Sequence, residues 1–271
     1  MSSYFPAHTR LPGRAAFSGV LLLTALFALV ACGPASGAAP SAQTSATATA
    51  TTPASAPTTT PTHSIVNYVA LGASDAVGVG ATDPNHTAYV PLIISRLPQG
   101  SDALNLGISG ETLHRALTDE LPQAIAAQPT LITVWLVGND FKDCVSLTQY
   151  GADLNTLLTQ LQQRTHAKVF VANAPDFSAL PALQAQVAGG SFCGAPATLA
   201  TVRSQTQQWN RVIDASVATH HDTLVDLFDA GLSTHPGYIS GDGFHPSDQG
   251  YLALANLFWS AITAQGADKA A

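Results

Sequence analysis

The sequence has few charged residues, few cysteines and no excess of positive charge. Only 10% of its 271 residues are Asp, Glu, Lys or Arg, against roughly 25% in an average soluble domain, which argues against a coiled coil or a charged disordered chain. The net charge of −7 argues against a nucleic-acid binder, which needs clustered positive charge. Three cysteines are too few for a fold that depends mainly on disulfides.

Residues 1–31 are predicted to be a targeting segment. Two arginines precede an apolar run from Ala15 to Ala31, whose length lies between that of a signal peptide and that of a membrane-spanning helix. The run ends in Leu29-Val30-Ala31-Cys32-Gly33, which resembles a bacterial lipobox and implies cleavage before Cys32 and lipidation of its thiol. The alternative is an uncleaved anchor. Both interpretations place the rest of the chain on the outer face of the bacterial cell membrane.

Residues 32–63 are predicted to form a disordered tether. After Cys32 this segment contains no Asp, Glu, Lys or Arg, shows no hydrophobic period, and includes five prolines, so it has no face to bury and no helix to form. The folded domain is therefore expected to occupy residues 64–271, which is long enough for one sizeable core.

Two cysteines remain in the predicted domain, Cys144 and Cys193. In an oxidising compartment such a pair is expected to form a disulfide that closes a loop of about 50 residues and contributes roughly 4 kcal/mol to stability in the loop-entropy model. The alternative is a pair of buried free thiols.

Apolar runs and amphipathic stretches alternate along the predicted domain. The runs predict five strands, at residues 65–71, 103–106, 131–136, 168–172 and 223–227. The amphipathic stretches predict helices, at residues 89–97, 113–121, 147–161 and 198–220, followed by a closing helix that begins at Pro246. Pro122 is expected to end the helix at 113–121. Strands that alternate with helices indicate a single three-layer α/β/α domain with a five-stranded parallel sheet.

Candidate catalytic residues follow four of the five predicted strands, at the edge of the sheet where ligands bind in such folds. Along the chain they are Ser74, Gly110, Asn139, and the pair Asp242 and His245. A carboxylate three residues before an imidazole can hold its Nδ1–H and leave Nε2 free to act as a base. A serine hydroxyl, such a base and convergent N–H donors are the groups that acyl transfer requires.

The same residues resemble the sequence blocks of the SGNH hydrolases, the GDSL-type esterases and lipases, in family order from residue 65 to 265. The resemblance implies that Ser74 is the nucleophile, His245 the general base and Asp242 its partner. It also implies an oxyanion hole formed by the Ser74 N–H, the Gly110 N–H and the Asn139 side-chain amide. A flavodoxin-like sheet and no cofactor are expected with it. No metal site is predicted, because the histidines of the domain lack the spacing of metal ligands.

Two details of the resemblance leave questions open. Ala73 stands where the family name carries Asp, so the packing around the nucleophile turn is expected to differ while the chemistry survives. Gly107 competes with Gly110 for the oxyanion role, and the Ser-Gly-Glu-Thr context favours Gly110.

The predicted function is that of an extracytoplasmic serine esterase or lipase that acts through an acyl-enzyme. Small esters, lipids and acyl sugars are the candidate substrates, and Phe141, Tyr238 and Phe244 are candidates to line the acyl pocket. The chain is expected to act as a monomer whose only membrane contact is the lipid anchor. The alternatives are an O-acyl (acetyl) esterase of surface polysaccharides and a surface lipoprotein that binds a ligand without catalysis.

Overall fold

The computed structural model describes residues 65–269. The predicted signal peptide (1–31), the tether (32–63) and the lipidation site Cys32 lie outside the described residues. Five strands form a parallel sheet, and two short strands form a separate hairpin. In chain order the strands are β1 (Asn67–Gly72), β2 (Asp102–Asn105), β3 (Leu131–Trp135), β4 (Lys168–Ala172), β5 (Ser191–Phe192), β6 (Ala195–Pro196) and β7 (Thr223–Val225).

The parallel sheet has the strand order β2-β1-β3-β4-β7. The register places Tyr68 of β1 opposite Leu131 of β3, and Ala70 of β1 opposite Asn105 of β2. All five residues of β3 are buried, as expected for a central strand that is covered by helices on both faces. Because the strands are parallel, their carboxyl ends meet at one edge, and the loops that leave this edge carry the site described below.

Helices cover both faces of the sheet. In chain order they are α1 (Ser74–Val77), α2 (Tyr89–Ile94), α3 (Leu113–Asp119), α4 (Leu121–Ala126), α5 (Gly138–Lys142), α6 (Leu147–Arg164), α7 (Pro181–Val187), α8 (Leu199–His220) and α9 (Asp248–Ala264). Helix α2 packs against α9, whereas α6 packs against α3, α4 and α8. The predicted fold class, a three-layer α/β domain with a five-stranded parallel sheet, is confirmed.

The three longest helices begin at side-chain caps. Ser146, Thr198 and Ser247 each accept a hydrogen bond from a backbone N–H in the first turn of α6, α8 and α9. Such caps satisfy donors that have no partner inside the helix. The apolar stripe of α6 is then buried against the sheet and its neighbouring helices.

Two proline positions differ from the sequence-based expectation. Pro122 does not end a helix but lies in the first turn of α4, where a proline costs no helical hydrogen bond. Pro246 is not the first residue of the closing helix, because α9 begins at Asp248 after the cap Ser247. Pro246 instead forms an isolated antiparallel bridge with Ile239.

A disulfide links two parts of the chain that leave the carboxyl edge of the sheet. Cys144, just after α5, is bonded to Cys193, which lies between β5 and β6. Neither the short helices α5 and α7 nor this hairpin is predicted from the sequence, because each is too short to show a hydrophobic period. Within residues 65–269, no helix has the length and apolar character needed to cross a membrane.

Candidate active site

The turn that follows β1 presents Ser74 at the carboxyl edge of the sheet. Strand β1 ends at Gly72, Ala73 makes the turn, and Ser74 opens α1. The turn is tight, because a Cβ on Gly72 would lie 2.7 Å from the Ala76 Cβ. Ser74 is only 7% exposed, so its hydroxyl faces a site with restricted access to water.

His245 and Asp242 complete a hydrogen-bonded chain that ends on this serine. The Nε2 of His245 lies 2.8 Å from the Ser74 Oγ, and the Nδ1 lies 2.6 Å from the Asp242 Oδ2. With the proton on Nδ1, that nitrogen donates to the carboxylate, and Nε2 accepts from the serine hydroxyl. The geometry therefore suits the transfer of the hydroxyl proton to the imidazole.

Several donors converge on the other oxygen of Asp242. The Oδ1 accepts hydrogen bonds from the Phe244 N–H at 2.8 Å, the His245 N–H at 2.9 Å and the Ser240 hydroxyl at 2.9 Å. Partial burial alone would raise the pKa of Asp242, but these bonds and the one to the imidazole outweigh it and lower the pKa to about 2. Asp242 is therefore ionised throughout the neutral range, with its orientation fixed.

The loop that carries Asp242 and His245 is closed at its base by the backbone. The Ser240 N–H donates to the His245 carbonyl, and the Ser247 N–H donates to the Tyr238 carbonyl, both at 2.8 Å. The loop also rests on Gly80, where a Cβ would lie 2.6 Å from the Pro246 carbonyl oxygen and 3.0 Å from the His245 Cβ. This close approach, at a φ of +94°, requires glycine.

Asn139 and Gly110 lie in the two neighbouring loops of the same edge. The Asn139 Nδ2 donates one hydrogen bond to the Glu111 carbonyl at 2.9 Å, which orients the amide and leaves its second N–H available. Gly110 has a φ of +81° and open space where a Cβ would be, so a ligand can approach its backbone closely. By contrast, the Gly107 N–H donates to the Asn105 side chain, which favours Gly110 over Gly107 as an oxyanion donor.

A second carboxyl group, Glu120, anchors the nucleophile turn and is missed by the sequence analysis. Its Oε2 accepts a hydrogen bond from the Gly72 N–H at 2.9 Å, while its buried Oε1 has no partner among the described residues. Burial raises the pKa of Glu120 to about 8, so it is neutral at pH 7. Glu120 lies between α3 and α4, four residues after the buried Ala116, and this spacing is the one sequence signal that could have indicated burial.

The three aromatic candidates for the acyl pocket lie in different surroundings. The Phe244 ring lies 3.6 Å from the position of a Cβ on Gly138 and edge-on to His245, so it borders the site. Phe141 is buried in an aromatic cluster that includes Trp209. Tyr238 stacks on His235.

No group of three or more metal-ligating side chains is found in the part of the chain that the structure describes. The candidate site consists of a hydroxyl, an imidazole, a carboxylate and N–H donors.

Comparison with known proteins assigns the family. A profile of the GDSL-like lipase/acylhydrolase family matches residues 70–253, which is more than half of the chain and spans every candidate residue described above. The chain belongs to this family. It is an ester-hydrolysing enzyme of the SGNH hydrolase class.

Solved structures show the same fold at low sequence identity. TesA superposes with a TM-score of 0.57 at 23% identity, with 73% of this chain and 98% of TesA covered. A lipase/acylhydrolase from Enterococcus faecalis gives 0.55 at 17% identity, covering 74% and 97%. A catalytic mutant of Axe2, an acetylxylan esterase from Geobacillus stearothermophilus, gives 0.57 at 21%, covering 73% and 94%. No curated protein sequence matches the chain.

Proposed function

We propose that this chain is an extracytoplasmic serine esterase that cleaves carboxylic esters through Ser74, His245 and Asp242. The observation that carries the proposal is the continuous chain of hydrogen bonds from the Asp242 carboxylate through both imidazole nitrogens to the Ser74 hydroxyl. A protein that only bound a ligand would have no need of this arrangement, which argues against the non-catalytic alternative.

The first half of the reaction forms an acyl-enzyme. The Ser74 Oγ attacks the ester carbonyl carbon while the His245 Nε2 takes the hydroxyl proton, and the carbonyl oxygen becomes an oxyanion. The ionised Asp242 stabilises the imidazolium that results. As the carbon–oxygen bond to the alcohol breaks, the imidazolium returns its proton to the departing alkoxide oxygen, and the acyl group remains on Ser74.

The second half releases the acid. Water attacks the acyl carbonyl carbon, and the His245 Nε2 takes the water proton. The tetrahedral intermediate then collapses, the bond to the Ser74 Oγ breaks, and the imidazolium reprotonates that oxygen. Because Nε2 must be neutral at the start of each half, activity is expected to fall at acid pH.

The oxyanion of both intermediates is assigned three donors: the Ser74 N–H, the Gly110 N–H and the free N–H of the Asn139 amide. Preplaced donors of this kind typically contribute about 10²–10³-fold each to turnover. The hydrogen bond from Asn139 to the Glu111 carbonyl supports this role, since it fixes the amide before substrate binds.

The cellular location is part of the same proposal. The lipobox-like segment before Cys32 supports lipidation of that cysteine and retention on the outer face of the bacterial membrane, with the domain held on the 32–63 tether. We propose that the enzyme acts as a monomer, because every proposed catalytic group comes from one chain. Mass spectrometry of the mature N-terminus, with and without a Cys32→Ala substitution, tests the lipidation.

Small esters and O-acyl groups of surface sugars are the two substrate classes that the site favours. The restricted exposure of Ser74 supports compact esters, and the acetylxylan esterase among the structural neighbours supports an acylated polysaccharide as the second candidate.

Hydrolysis of p-nitrophenyl acetate by the wild type and by Ser74→Ala tests the proposed chemistry. We expect Ser74→Ala to lower kcat by at least about 10⁴-fold, with the same circular dichroism spectrum. Ser260→Ala, which removes an exposed hydroxyl from α9, is the matched control and should leave kcat unchanged. Unchanged turnover in Ser74→Ala would reject the nucleophile assignment.

A further inference from the structure

A small cavity lies directly beside the proposed catalytic residues. Four of its lining residues adjoin those residues in the chain: Asp75 follows Ser74, Gly138 precedes Asn139, and Phe244 and Pro246 flank His245. Apolar side chains form most of the remaining wall, and they include Trp135, Phe177, Leu180 and Leu232. The cavity is thus positioned to receive the group attached to a carbonyl carbon that Ser74 attacks.

The free space in this cavity is about 20 Å³. A volume of this size accommodates about one water molecule, or a methyl group in its place. The Phe244 ring limits the space, since it approaches Gly138 on one side and the His245 ring, at 5.1 Å between centroids, on the other. An acyl chain longer than acetyl would have to displace this ring or the packed wall behind it.

The cavity wall is mostly apolar, but Asp75 contributes a carboxyl group that is charged when it is ionised. Asp75 is partly buried, and the donor to its carboxyl group is its own backbone N–H rather than a side chain of residues 65–269. Burial raises the pKa of Asp75 to about 6, although the nearby His245 opposes this effect. When ionised, this carboxylate is solvated by its own backbone N–H and by whatever water the cavity holds.

Covering that carboxylate with methylene groups is unfavourable. An acyl chain that displaces the water and supplies no donor removes the solvation of the ionised carboxyl group, which is unfavourable. An acetyl group brings a single methyl group into the cavity, so it covers less of this carboxyl group than a longer acyl chain does. The Nε1 of Trp135, which is buried and has no partner among the described residues, adds a second polar group that a long acyl chain would leave unsatisfied.

We propose that this cavity is the acyl pocket and that it restricts the enzyme to acetyl esters. Phe244 sets the upper limit on acyl length, and Asp75 penalises apolar chains that reach the wall. Both are specificity-determining residues, and the inference rests on the proposed function, since it presumes that Ser74 carries the acyl group.

The test is a series of kcat/KM values for p-nitrophenyl acetate, butyrate and octanoate. For the wild type we expect kcat/KM to fall roughly tenfold or more from acetate to butyrate, and further to octanoate. Similar values for acetate and butyrate, within about threefold, would overturn the pocket assignment while leaving the esterase proposal intact. Failure to hydrolyse any of the esters would instead contradict the proposed function.

Two substitutions separate the contributions of the pocket residues. Phe244→Ala should raise the butyrate-to-acetate ratio of kcat/KM at least about fivefold, and Phe244→Leu, a milder change, should raise it less. Asp75→Asn keeps the side-chain volume but removes the charge, and it should also raise the ratio. Phe228→Ala, in the loop after β7 and outside the cavity, is the matched control. Ratios that stay at the wild-type value in the Phe244 and Asp75 variants would overturn the roles of those residues.

Discussion

The nucleophile turn and the loop that carries His245 each rest on a carboxyl group, and the two groups are held in opposite protonation states. Glu120 is fully buried below the turn, has one donor, and its pKa is raised to about 8. Asp242 has a 43% exposed side chain, is surrounded by donors, and its pKa is lowered to about 2. The number of donors and the access to water, rather than closeness to the serine, determine which carboxyl is charged.

This difference separates the chemical role from the structural role. Only an ionised carboxylate can stabilise the imidazolium that forms during acyl transfer, and Asp242 meets that requirement at neutral pH. A neutral Glu120 can still accept the hydrogen bond from the Gly72 N–H, so it anchors the turn without placing a negative charge beneath the nucleophile.

The largest effect is expected when the charge of Asp242 is removed. Asp242→Asn should lower kcat for p-nitrophenyl acetate by up to about 10⁴-fold, because an amide neither fixes the required tautomer nor stabilises the imidazolium. Asp229→Asn, an exposed position in the loop after β7, is the matched control and should retain full activity. Retention of kcat within tenfold in Asp242→Asn would show that the charge on the His245 loop is dispensable.

An intermediate effect is expected when the support beneath His245 is altered. Gly80→Ala places a methyl group against the Pro246 carbonyl and the His245 Cβ, and a shift of about 1 Å in a catalytic group can cost about 10²-fold in rate. We therefore expect kcat to fall by about 10–100-fold in steady-state assays, with a smaller change in KM.

Gly100→Ala provides the control for backbone strain. Gly100 has a similar φ of +89°, but a Cβ there meets nothing within 4 Å, so the variant should lose stability without losing kcat. Equal losses of kcat in the two variants would argue against a role for Gly80 in positioning His245.

Substitution of Glu120 is expected to have the smallest effect on activity and the clearest effect on stability. Below pH 4.5, its ordinary pKa, Glu120 is protonated in the folded and unfolded states alike. As the pH rises from about 4.5 to about 8, the unfolded state loses a proton that the folded state retains, so the free energy of unfolding falls. Glu120→Gln should remove this loss and be more stable than the wild type at pH 8 by an amount on the order of 3 kcal/mol.

Denaturant unfolding at pH 4, 6 and 8 measures this difference. The two proteins should have similar stability at pH 4 and should diverge as the pH rises. Both should also lose stability as the pH rises from about 4 to about 6, because burial raises the pKa values of Asp75 and Asp140 from 3.8 to about 6. If the free energies of unfolding of the wild type and Glu120→Gln changed in parallel with pH, Glu120 would have to be ionised in the folded state.

The sequence alone was sufficient to predict the sheet and the neighbourhood of the candidate site. The five apolar runs are long enough to indicate strands, and parallel strands bring the residues that follow them to one edge, so Ser74, Asn139 and His245 could be grouped without coordinates.

The remaining features depend on contacts between distant parts of the chain. Glu120 lies 48 positions from Gly72, and Gly80 contacts a loop more than 150 residues away, so no local pattern indicates either. The acyl cavity is formed by several separate segments of the chain, and its volume depends on side-chain packing that hydrophobic periodicity does not specify.

Labelling with a fluorophosphonate probe, followed by peptide mass spectrometry, tests the central claim most directly. The probe reacts only with a serine whose proton is taken by a neighbouring base, so we expect one adduct, on the peptide that contains Ser74. The adduct should be absent in Ser74→Ala and strongly reduced in His245→Ala. An active enzyme that carried no adduct on Ser74, or carried it on another serine, would contradict the proposed catalytic assignment.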